Sequence, residues 1–163
     1  INAQAPFELV SLRTYQLVVT NSRGTSAPEP LRVDTVSPGI FTLSGDGKGP
    51  GAILHAAYSL VNDGAPARPG EIVLIFCTGL GQTTPRLETG KPGNGQPTLE
   101  MPVVTIGSRD APVLFSGAAP GFAGLYQVNA VVPDLAAGSH EIILKMPAAG
   151  KTSQAGVTMR VQP

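Results

Sequence analysis

Glycine fills 20 and proline 16 of the 163 positions in this chain, more than one residue in five. The pair averages roughly 12% of a globular sequence. Helices do not carry that load, because interior glycine costs about 1 kcal/mol and interior proline about 3 kcal/mol. Collagen is excluded, since the glycines do not recur every third residue. Apolar residues make up 42%, enough for a core and too many for a disordered tail. A β-rich chain with many turns satisfies both facts.

Charge narrows the function classes. Charged residues are only 13% and the formal net charge is zero, against a typical charged fraction of about 25%. The basic residues are scattered singly from Arg13 to Arg160. Nucleic-acid binding needs them clustered to neutralise phosphates, so no nucleic-acid partner is expected. No run reaches the ~18 apolar residues of a membrane helix, so no membrane insertion is expected either. A surface built from Thr, Ser, Asn and Gln suits an exported protein. Ile1 is not an initiator methionine, and the chain reads as a processed piece whose targeting segment lies upstream. Cys77 is the only cysteine. It sits in an apolar run and reads as a buried, inert thiol.

The apolar runs carry strand chemistry: 15–21, 31–36, 71–78, 101–106, 111–115, 126–132, 139–146 and 156–161. Most alternate apolar and polar residues, as half-buried strands do. The run 71–78 is nearly all apolar, as in a central strand covered on both sides. Pro38-Gly39, Pro69-Gly70, Pro92-Gly93 and Pro120-Gly121 read as turns. Residues 107–110 separate two strands at hairpin distance. Segments 45–51 and 90–97 read as loops, the second as a mobile surface segment. Helical turns are expected only near 56–58 and 135–137. Strands at this spacing indicate an antiparallel β-sandwich or barrel.

The chain also echoes itself. INAQAPFEL, TYQLVVTN and LRV at the start return as VNAVVPDL, SHEIILKM and MRV at the end. Asn2 matches Asn129, Pro6 matches Pro133 and Val18 matches Ile143. Residues 1–36 therefore read as the closing half of one β-domain and 126–161 as the closing half of a second. An isolated β-hairpin is marginal in water. The first segment must pack on the rest of the chain, for which a three-stranded remnant is expected, or pair with another copy, or fray. Self-association through these N-terminal edge strands is the partner mode this implies.

Conventional chemistry finds few footholds. Gly79-Leu80-Gly81 follows a strand, but 82–85 offers no helix for a pyrophosphate. Lys91 lacks the hydroxyl residue of a phosphate-binding loop. His55 and His140 are the only histidines and match no zinc spacing. His55, Ser59 and Asp63 could be drawn as a hydrolase triad, yet they lack a nucleophile elbow. Asp46 and Asp63 fall short of the six to eight oxygens calcium takes and read as turn residues. No catalytic residue, metal site or cofactor is expected. Tyr58 is the candidate ligand-binding residue, as an exposed aromatic platform for a glycan. Gly79 and Gly81 are read as positions where a side chain would clash. Asn2 and Asn129 are read as loop caps. Tyr126 and Phe122 are read as anchors of the glycine-rich crossing between them, with the Tyr126 hydroxyl bonded to backbone.

The ordered strings INAQAPFEL, SPGIFT (37–42), GAIL (51–54), PGEIVLIFCTGLG (69–81), APVLFSGAAPGFAGLYQVNAVVP (111–133) and AAGSHEIIL (136–144) resemble the Solibacter-type uncharacterised C-terminal domain family. The likeness spans nearly the whole chain. It implies an immunoglobulin-like module, similar to the IPT/TIG type, at the end of a longer exported acidobacterial protein. It assigns no catalytic residue or ligand. Cys77 departs from the small residue, such as alanine, more usual there. The resulting expectation is all-β: an immunoglobulin-like antiparallel β-sandwich at 69–163, a linker with a short hairpin at 39–68, and at 1–38 the closing strands of a similar β-domain. The expected role is a non-catalytic structural or protein-interaction module, extracellular, at the cell surface or periplasmic. Its partners are other domains of the parent protein. A carbohydrate- or surface-binding module is the alternative.

Overall fold

A computed structural model describes residues 3–163; Asn2 of the asparagine pair lies outside the described residues. The apolar runs between turns become strands: β1 (Arg13–Leu17), β2 (Thr20–Asn21), β3 (Gly24–Thr25), β4 (Glu29–Val33), β5 (Gly39–Ile40), β6 (Gly49–Pro50), β7 (Ile53–His55) and β8 (Ile72–Thr78). The second half adds β9 (Val103–Ile106), β10 (Arg109–Ala111), β11 (Val113–Ala118), β12 (Tyr126–Val131), β13 (Gly138–Met146), β14 (Lys151–Thr152) and β15 (Val157–Val161). The chain is all-β with several sheets. One sheet runs β10-β9-β13-β15-β6, with β14 also on β13. Another runs β11-β12-β8-β5, with β7 also on β8. Two small ribbons, β1-β4 and β2-β3, stand apart from them.

The two larger sheets share one core. Val73, Ile75 and Cys77 of β8 and Val128 and Ala130 of β12 meet Val104 and Ile106 of β9 and Ile142, Leu144 and Met146 of β13 in a single buried cluster. Period-2 alternation puts these side chains on one face of each strand. β8 is central in its sheet, as expected of 71–78, but its outer face is only partly covered: Leu74 is buried, Phe76 half-buried and Ile72 38% exposed. The chain passes from β10 in one sheet to β11 in the other through Pro112 alone. Proline suits that corner because it has no N–H to offer either ladder.

Local geometry sharpens several expectations and corrects others. The 107–110 turn is a two-residue hairpin: Gly107 and Ser108 both have positive φ, at 57° and 64°, and Ile106 pairs Arg109. That is the primed geometry whose twist matches flanking strands. Pro69-Gly70 and Pro120-Gly121 place glycine at positive φ, as turns require. Pro38-Gly39 and Pro92-Gly93 do not: Gly39 belongs to β5, and Gly93 bridges Pro120. The expected loop 45–51 contains β6, which runs parallel to β15 and so departs from an all-antiparallel plan. Segment 90–97 is fixed by backbone bonds, with Gly95 donating to Ala118 and Ala118 donating to Gln96 along the edge of β11. The one described helix, a 3-10 turn at Pro147–Ala149, falls outside both expected helical turns. No described helix is long and apolar enough to cross a membrane.

The N-terminal segment is pinned at two places. Its first loop exchanges bonds with 86–90: Thr89 donates to Glu8 (2.7 Å) and Arg86 to the Phe7 carbonyl (3.2 Å). Its end is held by a Lys151–Asp34 ion pair at 2.7 Å and by Ser37 N–H donating to the Gly79 carbonyl at 2.8 Å. Between them the expected three-stranded remnant is a two-stranded ribbon, β1 on β4 and then β2 on β3.

Candidate functional site

Two concavities contain the residues singled out from the sequence. The first is an open groove of about 490 Å³ on the outer side of the β8-centred sheet. Phe76 of β8 and Leu54 of β7 line it, the strand-flanking Phe41 and Leu125 close it, and Tyr58 and Phe122 rise from two loops. Tyr58 is 64% exposed and Phe122 61%, so both rings present open faces. Tyr58 sits at φ 63° in the turn between Ile53–His55 and Leu60. The His55 carbonyl accepts from its N–H (2.8 Å), and His55 N–H donates to Ser59 (2.8 Å). That tight return tilts the phenol over the groove. Phe122 is thus a groove wall and not the core anchor expected of it, because the crossing between Pro120 and Leu125 loops outward.

Polar chemistry in the groove is sparse. Gln127 brings the one lining amide, and its Nε2 already donates to Asn129 Oδ1 at 2.8 Å. Asn129 therefore bonds a side chain on its own strand and does not cap a loop. The surface offers aromatic and aliphatic contact with few directed donors or acceptors. Such a surface suits apolar side chains. A sugar also needs precisely aimed polar groups, which makes it a poorer fit.

The second cleft, of about 420 Å³, contains His55, Arg68, Glu71 and Gln162. His55 Nδ1 hydrogen-bonds Glu71 Oε1, and Nε2 lies 3.1 Å from the Ala65 carbonyl. A carbonyl can only accept, so Nε2 carries a proton, and an ionised carboxylate asks the same of Nδ1. The Glu71 bond accordingly holds the imidazole pKa above its ordinary value, opposed by partial burial. Glu71 Oε2 also accepts from Arg68 N–H at 2.9 Å. With both ring nitrogens engaged, His55 ties the 53–65 hairpin to the start of β8. The drawn triad does not form. Asp63 instead pairs with Arg160 at 3.3 Å, and Ser59 offers its carbonyl to His55.

The remaining residues take structural positions. His140, half-buried within β13, places Nε2 2.8 Å from the Ala136 carbonyl. Asp46 accepts from Ser44 (2.6 Å) and Lys48 N–H (3.0 Å), the turn role expected of it. Cys77 is fully buried, and burial pushes its thiol up, away from the reactive thiolate. The Tyr126 hydroxyl donates to the Gly81 carbonyl. Burial, with a lesser effect of Cys77, pushes that phenol up to about 12. The described residues contain no group of three or more His, Cys, Asp or Glu placed to hold a metal ion.

No protein family model, curated protein or solved structure matches this chain.

What the sequence missed here is assembly at a distance. Phe41, Phe76 and Phe122 join Tyr58 only once β5, β8 and the 119–125 crossing are adjacent. Tyr58 alone was visible, because a tyrosine in a polar loop is conspicuous.

Proposed function

We propose that the protein is a non-catalytic interaction module of immunoglobulin-like sandwich form, belonging to a longer exported protein, and that it contacts a partner domain through the aromatic groove. One observation carries the reading: Phe41, Tyr58, Phe76 and Phe122 converge on a groove where, among the described residues, the one side-chain amide is Gln127, whose Nε2 already donates to Asn129. Exposed aromatics of this kind commonly dominate protein contacts. The sandwich form is supported by the shared core between two sheets, and the exported setting by the low charge and the Solibacter-type strings. Against an enzyme reading, His55 has both nitrogens committed and Cys77 is sealed in the core.

The alternative, a glycan-binding module, draws on the exposed ring of Tyr58. One pair of measurements separates them. The apolar dye bis-ANS is expected to bind the native protein saturably, with affinity cut at least fivefold in Tyr58→Ala and Phe122→Ala. A glycan array is expected to stay flat. Array signal that disappears in Tyr58→Ala would establish the glycan reading, and dye binding indifferent to both substitutions would remove the groove from the account.

A further inference from the structure

The N-terminal ribbon repeats the pairing register of the C-terminal one. In β1 and β4, Arg13 pairs Val33, Thr14 pairs Arg32, Tyr15 pairs Leu31 and Gln16 pairs Pro30. In β13 and β15, Gly138 pairs Val161, Ser139 pairs Arg160, His140 pairs Met159 and Glu141 pairs Thr158. The correspondence sets Val18 on Ile143, as the sequence echo does. Beyond the first ladder both ribbons change partner at the same step. Thr20–Thr25 and Asn21–Gly24 of β2-β3 match Lys145–Thr152 and Met146–Lys151 of β13-β14. A serine marks each changeover. Ser26 N–H donates to the Val19 carbonyl (2.9 Å) and its Oγ accepts from Val19 N–H (3.1 Å). Ser153 makes the same two bonds with Leu144, at 2.8 and 3.0 Å.

The surroundings differ. In the C-terminal ribbon Ile142, Leu144, Met159 and Val161 face the core and are at most 3% exposed. The β8-β12 sheet lies across them, and β9 pairs the far edge of β13 through Ile142–Lys145. Their counterparts Leu17, Val19, Leu31 and Val33 are apolar at all four positions, while Glu29, paired with Leu17, stands where the fully buried Val157 is in the other ribbon. Leu17 is 51% and Val19 38% exposed, Leu31 and Val33 are half-buried, and among the described residues β4 is the only strand paired with β1. A ribbon of the same register thus occurs twice in one structure, once fully covered and once partly open, and the covered one displays what fits.

We propose that the N-terminal ribbon is a docking surface for a β-unit built like residues 39–128 of this chain and joined in tandem ahead of it. That unit lays a β8-β12 type face across Leu17, Val19, Leu31 and Val33, and a β9 type strand along the open edge of β1.

The test extends the full chain by placing a second copy of residues 39–128 directly before Asn2, the position matching Asn129. Hydrogen exchange read by mass spectrometry over 14–20 is expected to slow at least 100-fold relative to the unextended chain. Differences in side-chain shape and the Glu29 charge could spoil the fit, so a second extended chain carries Val19→Leu, Glu29→Val and Leu31→Met, the residues found at those positions of the covered ribbon. Protection in either extended chain supports the proposal. Rapid exchange in both overturns it. Slow exchange already present in the unextended chain, with a dimeric mass by light scattering, would assign the surface to a second copy and also overturn it.

Discussion

Gly79→Ala tests how closely the 37–38 segment lies against the end of β8. Gly79 has φ 73°, and a Cβ there would land on the Ser37 carbonyl, far inside van der Waals contact, and 3.2 Å from the Pro38 nitrogen. Backbone cannot swing aside as a side-chain tip can. An alanine in the left-handed region costs about 1–2 kcal/mol by itself. Pushing Ser37 away breaks its hydrogen bond to Gly79, worth about 0.5–1.5 kcal/mol. Overpacking adds about 1–3 kcal/mol, since buried Pro38 and Ile40 follow directly. The sum is about 2.5–6.5 kcal/mol. Gly70→Ala is the internal control: φ is 81°, but nothing lies within 4 Å of its Cβ, so only the left-handed cost remains. Urea unfolding at 25 °C, followed by far-UV circular dichroism and extrapolated linearly, compares the two. If Gly79→Ala loses no more stability than Gly70→Ala, the close approach of the two backbones is wrong.

Three further outcomes are expected. The His55 pKa is raised in the folded state, so its bond to Glu71 stabilises fully below the unfolded value of about 6.5 and that stability is lost as pH rises through the folded value. Melting temperature should fall across that window in the parent, and Glu71→Gln should flatten the slope; an unchanged slope counts against the pair. Tyr126→Phe removes the donor to the Gly81 carbonyl and should cost about 1–2 kcal/mol in the same urea assay, with near-zero loss refuting the bond. Cys77 should resist a thiol reagent such as DTNB in native buffer and react at the global unfolding rate; fast native reaction would contradict its burial.

Features built from contiguous residues were legible in the sequence. The run 71–78 announced a central strand because both of its faces are apolar. The hairpin at 107–108 was marked by glycine, and the repeated ribbon by strings of matching residues. The Tyr126 hydroxyl found backbone as expected. Illegible were contacts made by atoms every residue possesses. The β6-β15 ladder runs through Gly49 and Pro50, which carry no strand signature, and it forms because neighbouring strands bring bare backbone to an unsatisfied edge. The partnership of His55 with Glu71 depends on the 53–65 hairpin folding back onto β8, a path the intervening polar residues do not reveal.

That ladder has a mechanical consequence. Along β15, Gly156 and Thr158 accept from Gly49 and Gly51, Arg160 accepts from Ala67, and Gln162 donates back to Ala67. Gly49 and Gly51 belong to a stretch running in the same direction as the last strand. Tension applied ahead of β6 and at the C-terminal end would therefore pull the two backbones along their length in opposite senses. The load would fall on several crosslinks together instead of peeling them off one after another, so the molecule's tail is fastened like a lap joint.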